Sequence, residues 1–220
     1  MNNLRESFSE PIGSIYYAAL LLSKGVKAHL SNDFETARKF IVAADMKEIG
    51  EWLDPIWLRK SGLVRHIKID DIPPVVPKSA RYKPRMPNAS MKRDLIYRDG
   101  HHCRFCRMPV VRAEVRKEIN RLYPNEAPWT SRKETDQHRG LQVMWLQYDH
   151  IIVHSPGGET TMDNLVITCP ACNFGRDKYS IEEMRFLDPR SHFREANWLG
   201  CKGWNGLENV LPEKKRMFKN

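Results

Sequence analysis

The sequence predicts an α+β protein, with a small helical domain first and a unit of short strands after it. Three observations carry this reading. Residues 12–58 space their apolar side chains as helices do, five prolines crowd residues 70–90, and beyond them short apolar runs sit between turn residues and paired cysteines.

The helices come in order. "IGSIYYAALLLSKGVKAHL" sets apolar residues three and four apart, the spacing of one helical face. "SNDFETARKFIVAAD" opens on the cap-forming Ser31-Asn32-Asp33 and puts Phe34, Ala37, Phe40, Ile41 and Ala44 on one side. "DMKEIGEWLDPIWL" has Asp45 and Glu48 at capping-box spacing, and Pro55 is expected to break or bend it. Together they predict a helical bundle domain over residues 1–69, suited to docking on a partner.

Residues 70–89 read as an extended linker, because proline has no N–H to give to a helix or a central strand. Lys78, Arg81, Lys83 and Arg85 make it basic. Such an arm can track a phosphate backbone, or equally be a solvated linker.

A second domain is expected over residues 90–190. "MKRDLIYRDG" is a short helix stopped by Gly100, and "VVRAEVRKEINRLYP" a basic helix. "LQVMWLQYDHII" alternates as a strand with Asp149 and His150 at its end, "VHSPGGETT" is a loop with a Gly-Gly turn, and "NLVIT" is a second strand. A helix is expected from Ser180; residues 191–220 read as irregular, with "EKKRMFKN" a frayed tail.

Composition narrows the function. Hydrophobic residues are 41% and charged ones 29%, enough for a core and a polar surface. The net charge is +9 with a pI near 9.4, which favours polyanionic partners. No apolar run reaches the ~18–20 residues of a membrane span. "MNNLRESFSE" lacks the basic start and apolar stretch of a signal peptide, so a cytoplasmic protein is expected.

Four of the five cysteines form two CxxC pairs, Cys103/Cys106 and Cys169/Cys172; Cys201 stands alone. Two such hooks present four thiolates to a tetrahedral zinc ion with little strain. Buried free thiols or a redox pair are the alternatives, but nothing supplies the strand–CxxC–helix setting of a thioredoxin-like site. His101 and His102 adjoin the first hook and are expected at the surface or behind the ligands.

The pieces "RDGHHCRFC", "YDHIIVHSPGG", "DNLVITCPACN" and "GRDK", in this order over residues 90–180, resemble the HNH endonuclease family, in its CxxC-containing branch with a ββα-metal core. The resemblance implies a metal-dependent endonuclease that nicks or cleaves double-stranded DNA and leaves a 5′-phosphate and a 3′-hydroxyl. It implies His150 as general base, Asp149 and Asn173 as ligands of the catalytic ion, and Asn164 as the brace of the loop that orients the base. The oxygen donors favour Mg²⁺ or Mn²⁺ over Zn²⁺ or Ni²⁺ as that ion. Arg176, Lys178, His154, Lys83 and Arg85 are the candidate nucleic-acid contacts. His154 stands where the family usually has a basic residue, and a surface histidine is its alternative; a solvated helix start is the alternative for Arg176 and Lys178. A helical domain beside such a core suits a restriction or phage-defence system. The other readings are a zinc-stapled nucleic-acid-binding module and a nuclease subunit active only within a complex.

Overall fold

A computed structural model describes residues 4–57, 66–70, 74–129, 136–192 and 194–218. It is a mixed structure of helices and one two-stranded sheet. Three helices come first: α1 (Gly13–Leu30), α2 (Phe34–Ala43) and α3 (Lys47–Trp57). Helix α1 buries Ile15, Ala18, Ala19, Leu22 and Val26, one face by spacing, and α2 packs Ala37 and Ile41 against it. The cap of α2 is Asp33, whose carboxylate accepts from Thr36 N at 3.1 Å.

Two expectations change here. Asp45 does not box with Glu48: its Oδ1 accepts from Arg139 N at 2.7 Å, while Glu48 Oε1 accepts from Ser14 Oγ at 3.1 Å. Tertiary partners outcompete the local cap. Nor does Pro55 break α3, which runs on to Trp57.

The proline-rich segment lies along the second half of the chain. Val76 N donates to Ser155 O at 2.7 Å, and Thr160 Oγ1 donates to Arg85 O at 3.1 Å. Helix α4 (Ala89–Asp99) follows, capped by Asn88, and Gly100 ends it at a φ of 69°. Asp99 is buried; its Oδ2 accepts from Ile167 N at 3.0 Å, which fixes the helix end to the sheet. Then come α5 (Ala113–Leu122) and a short α6 (Arg139–Val143). Residues 139–143 are therefore helical, and the expected strand shrinks to β1 (Gln147–His150).

Strand β1 pairs antiparallel with β2 (Leu165–Thr168), with Asp149 opposite Val166 and His150 opposite Leu165. Helix α7 (Pro170–Arg176) starts immediately after, with proline in its first turn. Helices α1 and α3 pack on α6, and α3 and α6 on α7. One hydrophobic core runs from Ile15 and Leu53 through Met144 and Ile167 to Leu207.

No helix starts at Ser180. Ser180 and Glu183 do exchange capping-box hydrogen bonds, Ser180 N to Glu183 Oε2 at 2.7 Å and Glu183 N to Ser180 Oγ at 3.1 Å. The chain then turns at Arg185, with a φ of 54°, and Phe186 pairs with Arg5 instead. The C-terminal segment holds three short 3-10 turns among its described residues and is packed, burying Trp198, Trp204, Leu207 and Leu211. Its tail is held as far as Met217, whose N donates to Glu208 Oε2 at 3.3 Å.

Candidate active site and metal centre

The two CxxC hooks meet. The Sγ atoms of Cys103, Cys106, Cys169 and Cys172 all lie within 4.8 Å of one another, and all four residues are buried. Cys106 and Cys169 are 3.7 Å apart, close to the ~3.8 Å edge of a tetrahedron with metal–sulfur bonds of roughly 2.3 Å. The four thiols are thus positioned to bind one metal ion. Each hook is anchored: Arg104 N donates to Ile167 O at 2.7 Å, and Asn173 N to Cys169 O at 3.0 Å. His101 and His102 are buried rather than at the surface. His102 Nε2 accepts from Trp198 Nε1, and His101 O from Trp204 Nε1, at 3.3 and 3.0 Å. They fasten the C-terminal segment onto the first hook.

On the other side of β1 opens a pocket of about 380 Å³. Asp149, His150 and Asn173 line it together with Arg85, Lys92, Arg112, Trp145 and Tyr148. Strand β1 supplies Asp149 and His150, and α7 supplies Asn173 within a turn of the second hook.

The hydrogen bonds around His150 decide its tautomer. Its Nε2 lies 3.0 Å from Thr160 Oγ1. The threonine hydroxyl has one proton and gives it to Arg85 O. It must therefore accept from His150, which puts the imidazole proton on Nε2 and leaves the lone pair on Nδ1. Burial first, then His154, Arg85 and Arg176, push the imidazole down to about 4, so it is neutral at neutral pH. A neutral imidazole with an open Nδ1 can take a proton.

Asn164 is tied into the loop after β1. Its Oδ1 accepts from Ile152 N at 2.7 Å, and its Nδ2 donates to Ile152 O and Glu159 O at 3.1 and 2.8 Å. The same loop needs its Gly-Gly turn: a Cβ on Gly158 would sit 1.9 Å from Ile152 O, and Gly157 has a φ of 99°.

Asp149 has a partner that the sequence assigned elsewhere. Arg176, 1% exposed, donates to both carboxylate oxygens, Nη2 to Oδ1 at 2.6 Å and Nε to Oδ2 at 3.2 Å. It also donates to His150 O and Tyr179 O, at 2.7 and 2.8 Å. Arg176 is thus buried behind the site, neither a solvated helix start nor a group facing the pocket. Burial pushes the Asp149 carboxyl up, and the guanidinium opposes that push. A carboxylate offers about four lone-pair positions, so Arg176 and the His150 backbone N–H do not use them all. Asn173 Nδ2 leans on Gln147 Oε1 at 3.5 Å. An oxygen-preferring divalent ion fits this donor set, with water completing the shell.

The other candidate contacts scatter. Arg85 is exposed and lines the pocket. His154 has its ring 5.5 Å from that of His150 and its Nε2 on Tyr82 O at 2.9 Å. Lys83 is exposed on the proline-rich segment, outside the pocket lining. Lys178 lines a different, more apolar groove with Ile151 and Tyr179. Thr160, Trp145 and Tyr148 were missed from sequence. Thr160 sits in a polar loop like any other threonine, and the two aromatics read as ordinary strand residues.

Residues 134–176 match the family model described as HNH endonuclease. The chain therefore carries an HNH endonuclease domain, with the four-cysteine cluster flanking it, and such a domain implies a nuclease and a nucleic-acid substrate. No curated protein and no solved structure was found to match the chain. No helix among the described residues is long and apolar enough to cross a membrane.

Proposed function

From the HNH endonuclease domain over residues 134–176, we propose that the protein is a metal-dependent endonuclease that hydrolyses DNA phosphodiester bonds. The observation that carries this is His150, neutral and with its Nδ1 lone pair open, in one pocket with Asp149 and Asn173. His150 Nδ1 takes the proton of the attacking water. The water oxygen bonds to phosphorus as the bond to the 3′-oxygen breaks, and the departing oxygen takes a proton from solvent, which leaves a 5′-phosphate and a 3′-hydroxyl. Asp149 and Asn173 would hold the divalent ion, Mg²⁺ or Mn²⁺, which supplies charge neutralisation at the phosphate and the departing oxygen. Arg176 holds the Asp149 carboxylate in place through both of its oxygens. Asn164 holds the loop that carries Thr160, and Thr160 holds the base in its tautomer. The four cysteines would bind a structural Zn²⁺ that keeps both strands and α7 in register. Residues 1–69 would serve as a docking domain, in a cytoplasmic restriction or phage-defence setting.

The test is plasmid cleavage by the purified chain with Mg²⁺, Mn²⁺ or no added divalent ion, beside His150→Ala. Ion-dependent nicking that falls by roughly 10²–10⁴-fold in the variant is the expected result. DNA binding with no cutting by either protein in any ion would overturn the nuclease reading in favour of a binding module.

A further inference from the structure

The wall of the pocket beside His150 is aromatic. Trp145, Tyr148 and Phe174 line it, next to Asp149 and Asn173, and the exposed Arg85 and the half-buried Lys92 stand at the same opening. Behind Trp145 is Arg116, 2% exposed. Its guanidinium carbon is 4.4 Å from the Trp145 ring centroid and 3.1 Å from that of Trp129. Its Nε and Nη1 have no hydrogen-bond partner among the described residues.

Burying a cation is expensive. Two indoles offset part of that cost by their ring electrons. The arrangement has a mechanical result: the guanidinium lies against the Trp145 ring and holds its rotamer. The pocket thus has a rigid aromatic wall with positive charge behind it.

An intact duplex has little use for such a wall. It presents phosphates and groove edges to a protein, and its base faces are stacked inside. An unpaired base offers a π-face, and stacking on an aromatic side chain is how single strands are gripped without regard to sequence. The volume of about 380 Å³ lies within the range of small-molecule sites.

We propose that this pocket holds one unstacked nucleobase of the strand being cut, with Trp145 as its stacking surface and Arg85 and Lys92 on the adjoining phosphates. The preferred substrate is then DNA with an unpaired nucleotide at the cut: a single strand, a gap, a flap or a bulge. In an intact duplex the base must first leave the stack, at a cost. This inference rests on the nuclease reading above and names its substrate.

The experiment uses the full chain carrying His150→Ala, so that DNA binds without being cut. Oligonucleotides carry one 2-aminopurine, moved a position at a time, in single-stranded, gapped and intact duplex forms. Expected are several-fold fluorescence quenching at one register of the single-stranded and gapped DNA, and at least ~10-fold tighter binding of these than of the duplex. Adding Trp145→Phe retains the quenching; adding Trp145→Ala abolishes it in protein that circular dichroism shows to be folded. If Trp145→Ala unfolds, the Trp145-containing protein and the Phe variant decide. DNA bound with no quenching at any register, or quenching that persists in folded Trp145→Ala, overturns the proposal. Cleavage of the same DNA by the chain with His150 intact, in Mg²⁺, is scored separately. Cutting without quenching removes the base subsite and leaves the nuclease; quenching without cutting supports the subsite and removes the nuclease.

Discussion

His150 depends on a hydroxyl ten residues further along the chain. Thr160 is the acceptor that keeps its proton on Nε2. Thr160→Val fills the same space without that acceptor, so a buried N–H loses its partner, a loss of about 1–3 kcal/mol. If it falls on the catalytic step, kcat drops roughly 5- to 150-fold while KM changes little; an unchanged kcat would show that the tautomer is held by something else. Arg176 supports a second prediction. Arg176→Ala leaves the Asp149 carboxylate buried and unpaired and should destabilise the fold by about 3–5 kcal/mol, read by urea denaturation. At this scale the grouping of Asp149, His150 and Asn173 in one pocket was legible, because all three stand in the segments that carry the resemblance. Thr160 and the Asp149–Arg176 pairing were not, because partners that far apart in sequence meet only through the loop and the end of α7.

Among elements, the short strands and α7 depend on the cysteine cluster. A sheet of two four-residue strands has little stability of its own. Cys169→Ser should lower metal content from one ion per chain, measured by mass spectrometry, and abolish cleavage together with a cooperative loss of near-ultraviolet circular dichroism. Retained activity in the metal-free variant would show that the core alone holds the site. Helices α1, α2, α4 and α5 were legible because their residue spacing suits a helix, and Asp33 and Gly100 mark one end of α2 and of α4. The failures have one cause. Asp45 gave its carboxylate to Arg139, and the segment after Ser180 keeps its capping-box bonds but turns at Arg185 into a bridge with Arg5, so in both places a tertiary partner outcompeted the expected local element. Local patterns say what a segment prefers, and not what it is offered.

For the whole molecule, the C-terminal segment closes the fold through one buried ion pair. Arg112, on the pocket wall, donates to both oxygens of Glu208, with Nη2 to Oε2 at 2.7 Å, and reaches Lys215 O at 3.0 Å. Burial pushes the Glu208 carboxyl up, but the hydrogen bonds from Arg112, with His101 Nε2 3.5 Å away, outweigh it and hold the group at about 2, against an ordinary 4.5. A lowered native pKa adds stability that is full above the unfolded value and is lost as pH falls through the native one. Stability should therefore fall between pH 4.5 and about 2, and Glu208→Gln should flatten that fall while lowering stability at pH 7. Equal pH profiles for the two proteins would refute the assignment. None of this was legible in a segment rich in glycine and tryptophan, since its order comes from the surfaces it covers.

The two hooks stand on either side of residues 107–168, a stretch that holds the base and most of the pocket wall. Cut the chain anywhere in that stretch and each fragment keeps one pair of thiols. An ion on all four would then be the covalent link between two polypeptides. A split form of this protein, its halves expressed apart, should reassemble when the ion is supplied and separate when a chelator takes it away.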